Sequence, residues 1–175
     1  VMEFIQRPTP YESVLDFGCG SGVMLPYLSQ ISSQVTAMDI DLLPLESVQA
    51  YLPLKKNVVV RDATKINISD LSANSFDLII ALDVLEHVKD LPRTLKELLA
   101  LLKQGGQLIV SGPTENILYR IGRKVAGPEY SGAYHERGIA EIKNELTRIA
   151  RIEPIATLYW PIPLFELFTA KKQSV

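Results

Sequence analysis

An α/β fold is predicted for this chain: a doubly wound, mostly parallel sheet in three layers, finished by a C-terminal antiparallel hairpin. Three observations predict it. Apolar runs of strand length alternate with stretches of helical period, the pattern of βαβ units. The first run, "SVLDFG", passes into glycines at every second position, Gly18, Gly20 and Gly22, as a tight strand-to-helix turn does. The chain closes on two apolar segments, "IATLYW" and "LFELFTA", with "PIP" between them; Pro161 and Pro163 mark the turn of a hairpin.

The elements follow in order. After the glycine turn a helix is expected over "VMLPYLSQ", where Pro26 is tolerated because it falls in the first turn. "QVTAMDI" is the second strand, "PLESVQAYL" a short helix opened by Pro44, and "NVVVRD" the third strand. "SFDLIIAL" is almost unbroken apolar, as a strand covered on both faces should be. "LPRTLKELLALLK" sets Leu91, Leu95, Leu98, Leu99 and Leu102 on one helical stripe, and Gly105 and Gly106 are expected to stop it. "QLIVSG" is the fifth strand; a helix over "ENILYRIGRKVAG", a loop over "PEYSGAYHERG" and a helix over "IAEIKNELTRI" precede the hairpin.

Composition narrows the function. The 175 residues are 47% hydrophobic and 22% charged, ordinary for a globular chain able to bury a core. A formal net charge of −2 gives no basic footprint for nucleic acid. Cys19 is the single cysteine, so no internal disulfide is possible and a reducing, cytoplasmic setting is expected. No apolar run is long enough for a membrane span. The first residues, "VMEFIQRPTP", lack the order of a signal peptide, and the chain opens on valine rather than methionine.

The glycine turn carries the chemistry. A tight turn with no ligand is one reading. The other starts from the rule that open α/β sheets bind ligands beyond the carboxyl ends of their strands. Glycines there let a ligand lie against bare backbone, and helix-start amides donate to it. The dinucleotide pattern wants glycine at first, third and sixth places; here the sixth is Val23. Asp16, just ahead of the turn, would repel a pyrophosphate and attract a cation. A small adenosine compound bearing ammonium and sulfonium groups meets that demand better than a nicotinamide dinucleotide.

"VLDFGCGSG" resembles the first motif of the class I S-adenosylmethionine-dependent methyltransferases, in the small-molecule, type 11-like branch, and the likeness runs on through residues 12–114. It implies a Rossmann-like fold and S-adenosyl-L-methionine as cofactor. "VTAMDI" matches the acidic position after the second strand, which implies Asp39 as partner of both ribose hydroxyls. "RDATKI" implies Asp62 at the adenine amino group and the Ala63 amide at the ring. "FDLIIALDVLEHV" implies backbone at Ala81 and Leu82 beside the methionine portion. "LKQGGQLIVSGP" resembles the run into the fifth strand, with Gln104 where proline is commoner. The implied cofactor contacts are Asp16, Gly18, Cys19, Gly20, Gly22, Asp39, Ile40, Asp62, Ala63, Ala81 and Leu82; no metal is implied.

The implied reaction is methyl transfer by direct displacement to a nucleophilic atom of a small-molecule acceptor, in one domain over residues 1–175, as a monomer or homodimer. A lead of 1–13 precedes the first motif, so the N-terminal cover over the acceptor is expected to be short. Residues 113–138 then form the substrate lid, where Arg120, Arg123, Lys124 and Arg137 either face solvent or hold an acidic acceptor, and Tyr119, Tyr130 and Tyr134 supply aromatic walls. His87 and His135 are the candidate bases; a pocket-shaping role for His87 and an exposed-loop role for His135 are the alternatives. Asp83 and Glu86 stand on the same connection as His87. Two other functions compete: a nicotinamide-dependent oxidoreductase or epimerase, which would need the sixth-place glycine, and a non-catalytic module that binds the cofactor only.

Overall fold

A computed structural model describes residues 1–5, 10–49, 51, 53–114, 138–158 and 164–172. Seven strands form one sheet: β1 (Tyr11–Phe17), β2 (Ser32–Asp39), β3 (Val58–Asp62), β4 (Phe76–Leu82), β5 (Leu102–Pro113), β6 (Ala150–Leu158) and β7 (Phe165–Lys172). Their order across the sheet is β3-β2-β1-β4-β5-β7-β6. The first five strands pair in parallel, while β7 pairs antiparallel with β5 and with β6. The hairpin is thus present, entered so that its second strand lies against β5 and its first takes the outer edge. Among the described residues four α-helices cover the sheet: α1 (Leu25–Ile31), α2 (Leu43–Gln49), α3 (Leu91–Leu101) and α4 (Ile139–Thr147).

Strand alternation divides the interior into two cores. Leu15, Ile79, Ala81, Leu108, Val110, Phe168 and Ala170 face the α3 and α4 side, against Leu95, Leu98, Ile139 and Ile142. Val14, Val35, Leu78, Ile80, Ile109 and Leu167 face the α1 and α2 side, against Leu25, Leu28 and Leu45. Three layers result, as the run of apolar residues through β4 requires. The leucine stripe of α3 is buried at Leu91, Leu95, Leu98 and Leu99; Asp90 opens this helix by accepting from the Arg93 amide at 3.1 Å, an N-cap.

One expected boundary is corrected. Gly105 and Gly106 do not stop α3: the helix ends at Leu101, and Leu102, already extended, donates its N–H to the Leu99 carbonyl. The glycines instead absorb an irregularity in β5. Phe76 pairs with Leu102 and Leu78 with Gln107, so a two-residue step on β4 faces a five-residue step on β5. The surplus chain turns at Gly105, where φ is +76°. A Cβ on Gly106 would come within 3.0 Å of the Lys103 and Phe76 carbonyl oxygens.

Smaller shifts have local causes. α1 starts at Leu25, two residues later than expected, with Pro26 in its first turn, and β2 follows it with no intervening loop. β6 begins at Ala150 and carries Pro154 at a register shift, on the outer edge where a missing ladder donor is tolerated. The helix expected over 115–127, the loop after it, nearly all of the lid and the Pro161–Pro163 turn lie outside the described residues. No helix among the described residues is long and apolar enough to cross a membrane.

Candidate functional site

The sheet reverses direction beside β1, which pairs with β2 on one side and β4 on the other. Parallel register then brings the carboxyl ends of β1 to β4 to one edge. Asp39 and Asp62 are register partners, and the glycine turn leaves β1 next to them. Every cofactor residue implied by the sequence stands at this edge: Asp16 in β1, Gly18 to Gly22 in the turn, Asp39 and Ile40 ending β2, Asp62 and Ala63 ending β3, Ala81 and Leu82 ending β4.

The glycines differ in what demands them. Gly18 has φ +78°, and a Cβ there would lie 2.3 Å from the Val84 Cγ2 methyl; the fold itself forbids a side chain. Gly22 is similar, a Cβ meeting Leu45 Cδ1 at 2.5 Å. Gly20 has φ +51° and nothing within 4 Å of the same position. Among the described residues, nothing fills the space on that side of Gly20. Main-chain bonds fix the turn: the Gly18 and Cys19 amides both donate to the Met38 carbonyl, at 2.7 and 3.2 Å, and the Gly22 amide donates to the Cys19 carbonyl at 2.8 Å.

Asp39 ties the turn to β2. Its Oδ2 accepts from the Gly20 amide at 2.7 Å and its Oδ1 from the Asp41 amide at 3.0 Å. Each oxygen keeps further accepting capacity, suited to a vicinal diol. Asp62 is more heavily engaged: Oδ1 accepts from the Thr64 amide and hydroxyl at 2.9 and 2.6 Å, and Oδ2 pairs with Lys65 at 2.8 Å. The Lys65 ammonium, followed by Thr64, lowers this carboxyl to about 2. The Ala63 amide, expected at the adenine ring, donates to the Asp39 carbonyl at 2.8 Å. It is committed within the fold, so any ring contact there must displace that bond. A cavity of about 540 Å³ runs from Ile40 and Asp62 along α2 to Leu54; it meets the adenine end of the implied site and misses the glycine turn.

Asp16 is only 3% exposed, and among the described residues no cation pairs with it. Burial, with the Asp39 charge in second place, pushes its carboxyl up to about 7. A raised acid means the folded state holds a proton that the unfolded chain gives up near pH 4. Stability contributed by Asp16 is therefore complete below pH 4 and lost as pH rises towards 7. Asp16→Asn is expected to remove that decline, making the variant more heat-stable than wild type at pH 8 by up to a few kcal/mol; melting curves between pH 4 and 8 check it. Conversely, a bound cation favours the carboxylate, so a cationic ligand should bind more weakly as pH falls below 7, with proton release. Calorimetry in buffers of different ionisation enthalpy reads that release.

Cys19 lies in the turn, 8% exposed. Burial, reinforced by the Asp16 and Asp39 charges, pushes its thiol up to about 12, so it is no nucleophile at neutral pH. Alkylation by iodoacetamide at pH 8 is expected to run at least tenfold slower than for an exposed cysteine, as mass spectrometry can follow.

His87 is exposed at the end of a 3-10 turn (Leu85–His87) after β4, and Glu86 beside it is buried. His135, with Tyr119, Tyr130, Tyr134, Arg120, Arg123, Lys124 and Arg137, lies outside the described residues. Two features were not foreseen. Val84 is the side chain that forbids one at Gly18. Asp83 holds a left-handed backbone, φ +52°, and its Oδ1 accepts from the Ser111 hydroxyl at 2.9 Å; no glycine or asparagine signals such a turn in "ALDVLEH". The Tyr-x-x-x-Lys spacing of short-chain oxidoreductases is met once, by Tyr51 and Lys55, but both are exposed in the connection that enters β3, at the opposite edge of the sheet.

The site fits a cationic adenosyl ligand on three counts: a buried acid with no cation among the described residues, space over Gly20 that none of those residues fills, and a carboxylate with accepting capacity at the end of β2. Comparison with known proteins agrees. The family model described as "Methyltransferase domain" matches residues 1–159. A ubiquinone biosynthesis O-methyltransferase from Pseudomonas fluorescens is 30% identical over 136 residues, 75% of this chain and 57% of that protein. Its counterpart from Xanthomonas euvesicatoria is 38% identical over 102 residues, 56% and 41% of the two chains. The chain thus spans about half the length of these curated relatives. The crystal structure of the N-methyltransferase NodS from Bradyrhizobium japonicum, in complex with S-adenosyl-L-homocysteine, superposes with a TM-score of 0.71 over 94% of this chain and 80% of that one, at 17% identity, a likeness of fold. With motif order, strand order and family model in agreement, the chain belongs to the methyltransferase-domain family, among the class I S-adenosylmethionine-dependent enzymes.

Proposed function

We propose that this chain transfers the methyl group of S-adenosylmethionine to a nucleophilic atom of a small-molecule acceptor. The observation that carries the proposal is Asp16, a buried carboxyl with no cation among the described residues, near the open face of Gly20. Asp16 and the glycine turn would hold the cationic amino-acid portion, Asp39 the ribose hydroxyls, Ile40 and Asp62 the adenine, and backbone at Ala81 and Leu82 the reacting end. The cofactor supplies a methyl carbon on a good leaving group: the acceptor's lone pair forms the new bond, the carbon–sulfur pair stays on sulfur, and the acceptor's proton leaves to a base or water.

The protein's own contribution is alignment and exclusion of water. Alignment of nucleophile and methyl is worth up to about 7–11 kcal/mol in favourable cases, and a dry site helps because charge disperses during the transfer. A base adds about 10²–10⁴-fold where the nucleophile is not already ionised. His87 stands on the connection after β4 and His135 on the lid sequence, and these remain the two candidates for it. The single cysteine supports a cytoplasmic setting.

A screen with methyl-labelled cofactor against a panel of metabolites tests the proposal. Transfer of label to at least one hydroxyl, amine, thiol or carbon acceptor supports it. Cofactor binding without transfer across the panel favours the binding-only module.

A further inference from the structure

The glycine turn after β1 is in contact with a residue whose place is set two strands away. β4 lies between β1 and β5 in the sheet, and Leu82, the last residue of β4, is the register partner of Ser111 in β5. The next residue, Asp83, is bonded to Ser111 twice. Its N–H donates to the Ser111 carbonyl at 3.3 Å, and its Oδ1 accepts from the Ser111 hydroxyl at 2.9 Å. Ser111 is buried and Asp83 exposed, so the fixed partner of the pair is the serine.

Asp83 turns the chain. Its φ of +52° is a left-handed conformation that a Cβ opposes and that local hydrogen bonding makes tolerable in aspartate and asparagine. Such a conformation persists where surrounding structure imposes it, and it gathers at functional sites. Beyond this bend Val84 meets the glycine turn: its Cγ2, Cβ and Cγ1 lie 2.3, 2.5 and 3.0 Å from where a Gly18 Cβ would stand. Val84 thus fills the side-chain place that Gly18 leaves empty. It is branched at Cβ and stiff, so its methyl groups go where the backbone at Asp83 sends them. Gly18, Gly20 and Gly22 all have positive φ, and a run so rich in glycine has little conformational restraint of its own. Bonds to the Met38 carbonyl restrain it from β2, and Val84 restrains it from β4.

We propose that Ser111 and Asp83 are positioning residues for the cofactor: the serine hydroxyl fixes the left-handed bend at Asp83, which sets Val84 against Gly18 and holds the glycine turn in its binding shape. Neither residue needs to touch the ligand. A turn held in place before the ligand arrives binds it more tightly than one ordered on binding. The inference deepens the methyltransferase reading and rests on it for the identity of the ligand. The restraint on the turn exists without a ligand and can be measured without one.

Two measurements on the whole chain test this: amide hydrogen exchange without ligand, and calorimetric titration with S-adenosylhomocysteine. Ser111→Ala is expected to speed exchange at the Gly18, Cys19 and Gly22 amides about tenfold relative to the amides of α3, a local opening, and to weaken binding about tenfold. Val84→Ala, which removes two of the three contacting atoms, should do the same. The double variant should be no worse than the worse single, because residues acting through one set of contacts are not additive. Asp83→Asn keeps an oxygen for the serine hydroxyl and tolerates the left-handed backbone, so it should stay within about twofold of wild type in both measurements. Asp83→Ala lacks both and should match Ser111→Ala. Turn exchange and affinity unchanged in Ser111→Ala, exchange that rises equally in α3, or single effects that multiply in the double variant would each overturn the proposal. So would Asp83→Asn behaving like Asp83→Ala, since the carboxylate charge would then be acting directly. A wild-type chain that does not bind S-adenosylhomocysteine overturns the cofactor reading, and the exchange rates alone then decide the restraint on the turn.

Discussion

Gly18→Ala and Gly20→Ala are expected to fail in opposite ways. In Gly18→Ala the new methyl group would lie 2.3 Å from Val84 Cγ2 and 2.5 Å from its Cβ. Val84 is β-branched and offers no flexible end that can swing aside, and the turn is pinned through Met38. Overpacking and a left-handed φ together cost about 3–5 kcal/mol, a large part of a domain's stability. Denaturant titration should show a chain largely unfolded or folded with a steep loss in midpoint. Gly20→Ala meets no atom of the described residues within 4 Å, so its φ of +51° sets the cost, about 1 kcal/mol. That variant should fold, yet its methyl group fills the space held for the ligand, and cofactor affinity should fall at least a hundredfold, about 3 kcal/mol. If Gly20→Ala binds as wild type does, the ligand does not pass over the turn.

Asp39→Ala is expected to weaken cofactor binding by a hundredfold or more. Two effects add. The side chain is the residue implied for the ribose diol, and hydrogen bonds to a charged group contribute about 1.5–3 kcal/mol each. It also accepts from the Gly20 and Asp41 amides, so its loss frees both the turn and the entry to α2. Asp39→Asn separates the terms, since its amide oxygen can retain one of those bonds and the negative charge is gone. Calorimetric titration of the three proteins is expected to rank wild type, Asn and Ala in falling order. Equal affinity in all three would remove Asp39 from the site.

Residues that act through local sequence were the legible ones. The leucine spacing of α3, the apolar run of β4, the glycine turn and the acids that end β1, β2 and β3 can be read from a few neighbouring positions, because helix period, burial on two faces and close backbone approach each leave a short-range mark. What stayed hidden is non-local. Gly105 and Gly106 look like a helix stop, yet α3 ends at Leu101 and the glycines answer to β4, whose register sets the surplus chain between Leu102 and Gln107. The hairpin was visible from its prolines, but its insertion with β7 against β5 depends on pairing across the sheet. The commitment of the Ala63 amide to Asp39 and the left-handed Asp83 anchored on Ser111 arise from neighbouring strands, beyond the reach of a motif.

Val23 at the sixth place of the turn already counts against the nicotinamide-dependent alternative, but Gly18, Gly20 and the acid after β2 are common to both and do not decide between them. Asp16 does. A carboxylate at 3% exposure with no cation among the described residues suits an ammonium or sulfonium and opposes a pyrophosphate. The most direct measurement is a calorimetric titration of the wild-type chain at pH 8 with S-adenosylmethionine and, in parallel, with NAD. Saturable one-to-one binding of the adenosyl sulfonium, weakening as the pH is taken below 7, with no heat from the dinucleotide, is the predicted result. Binding of NAD with none of S-adenosylmethionine would contradict the account.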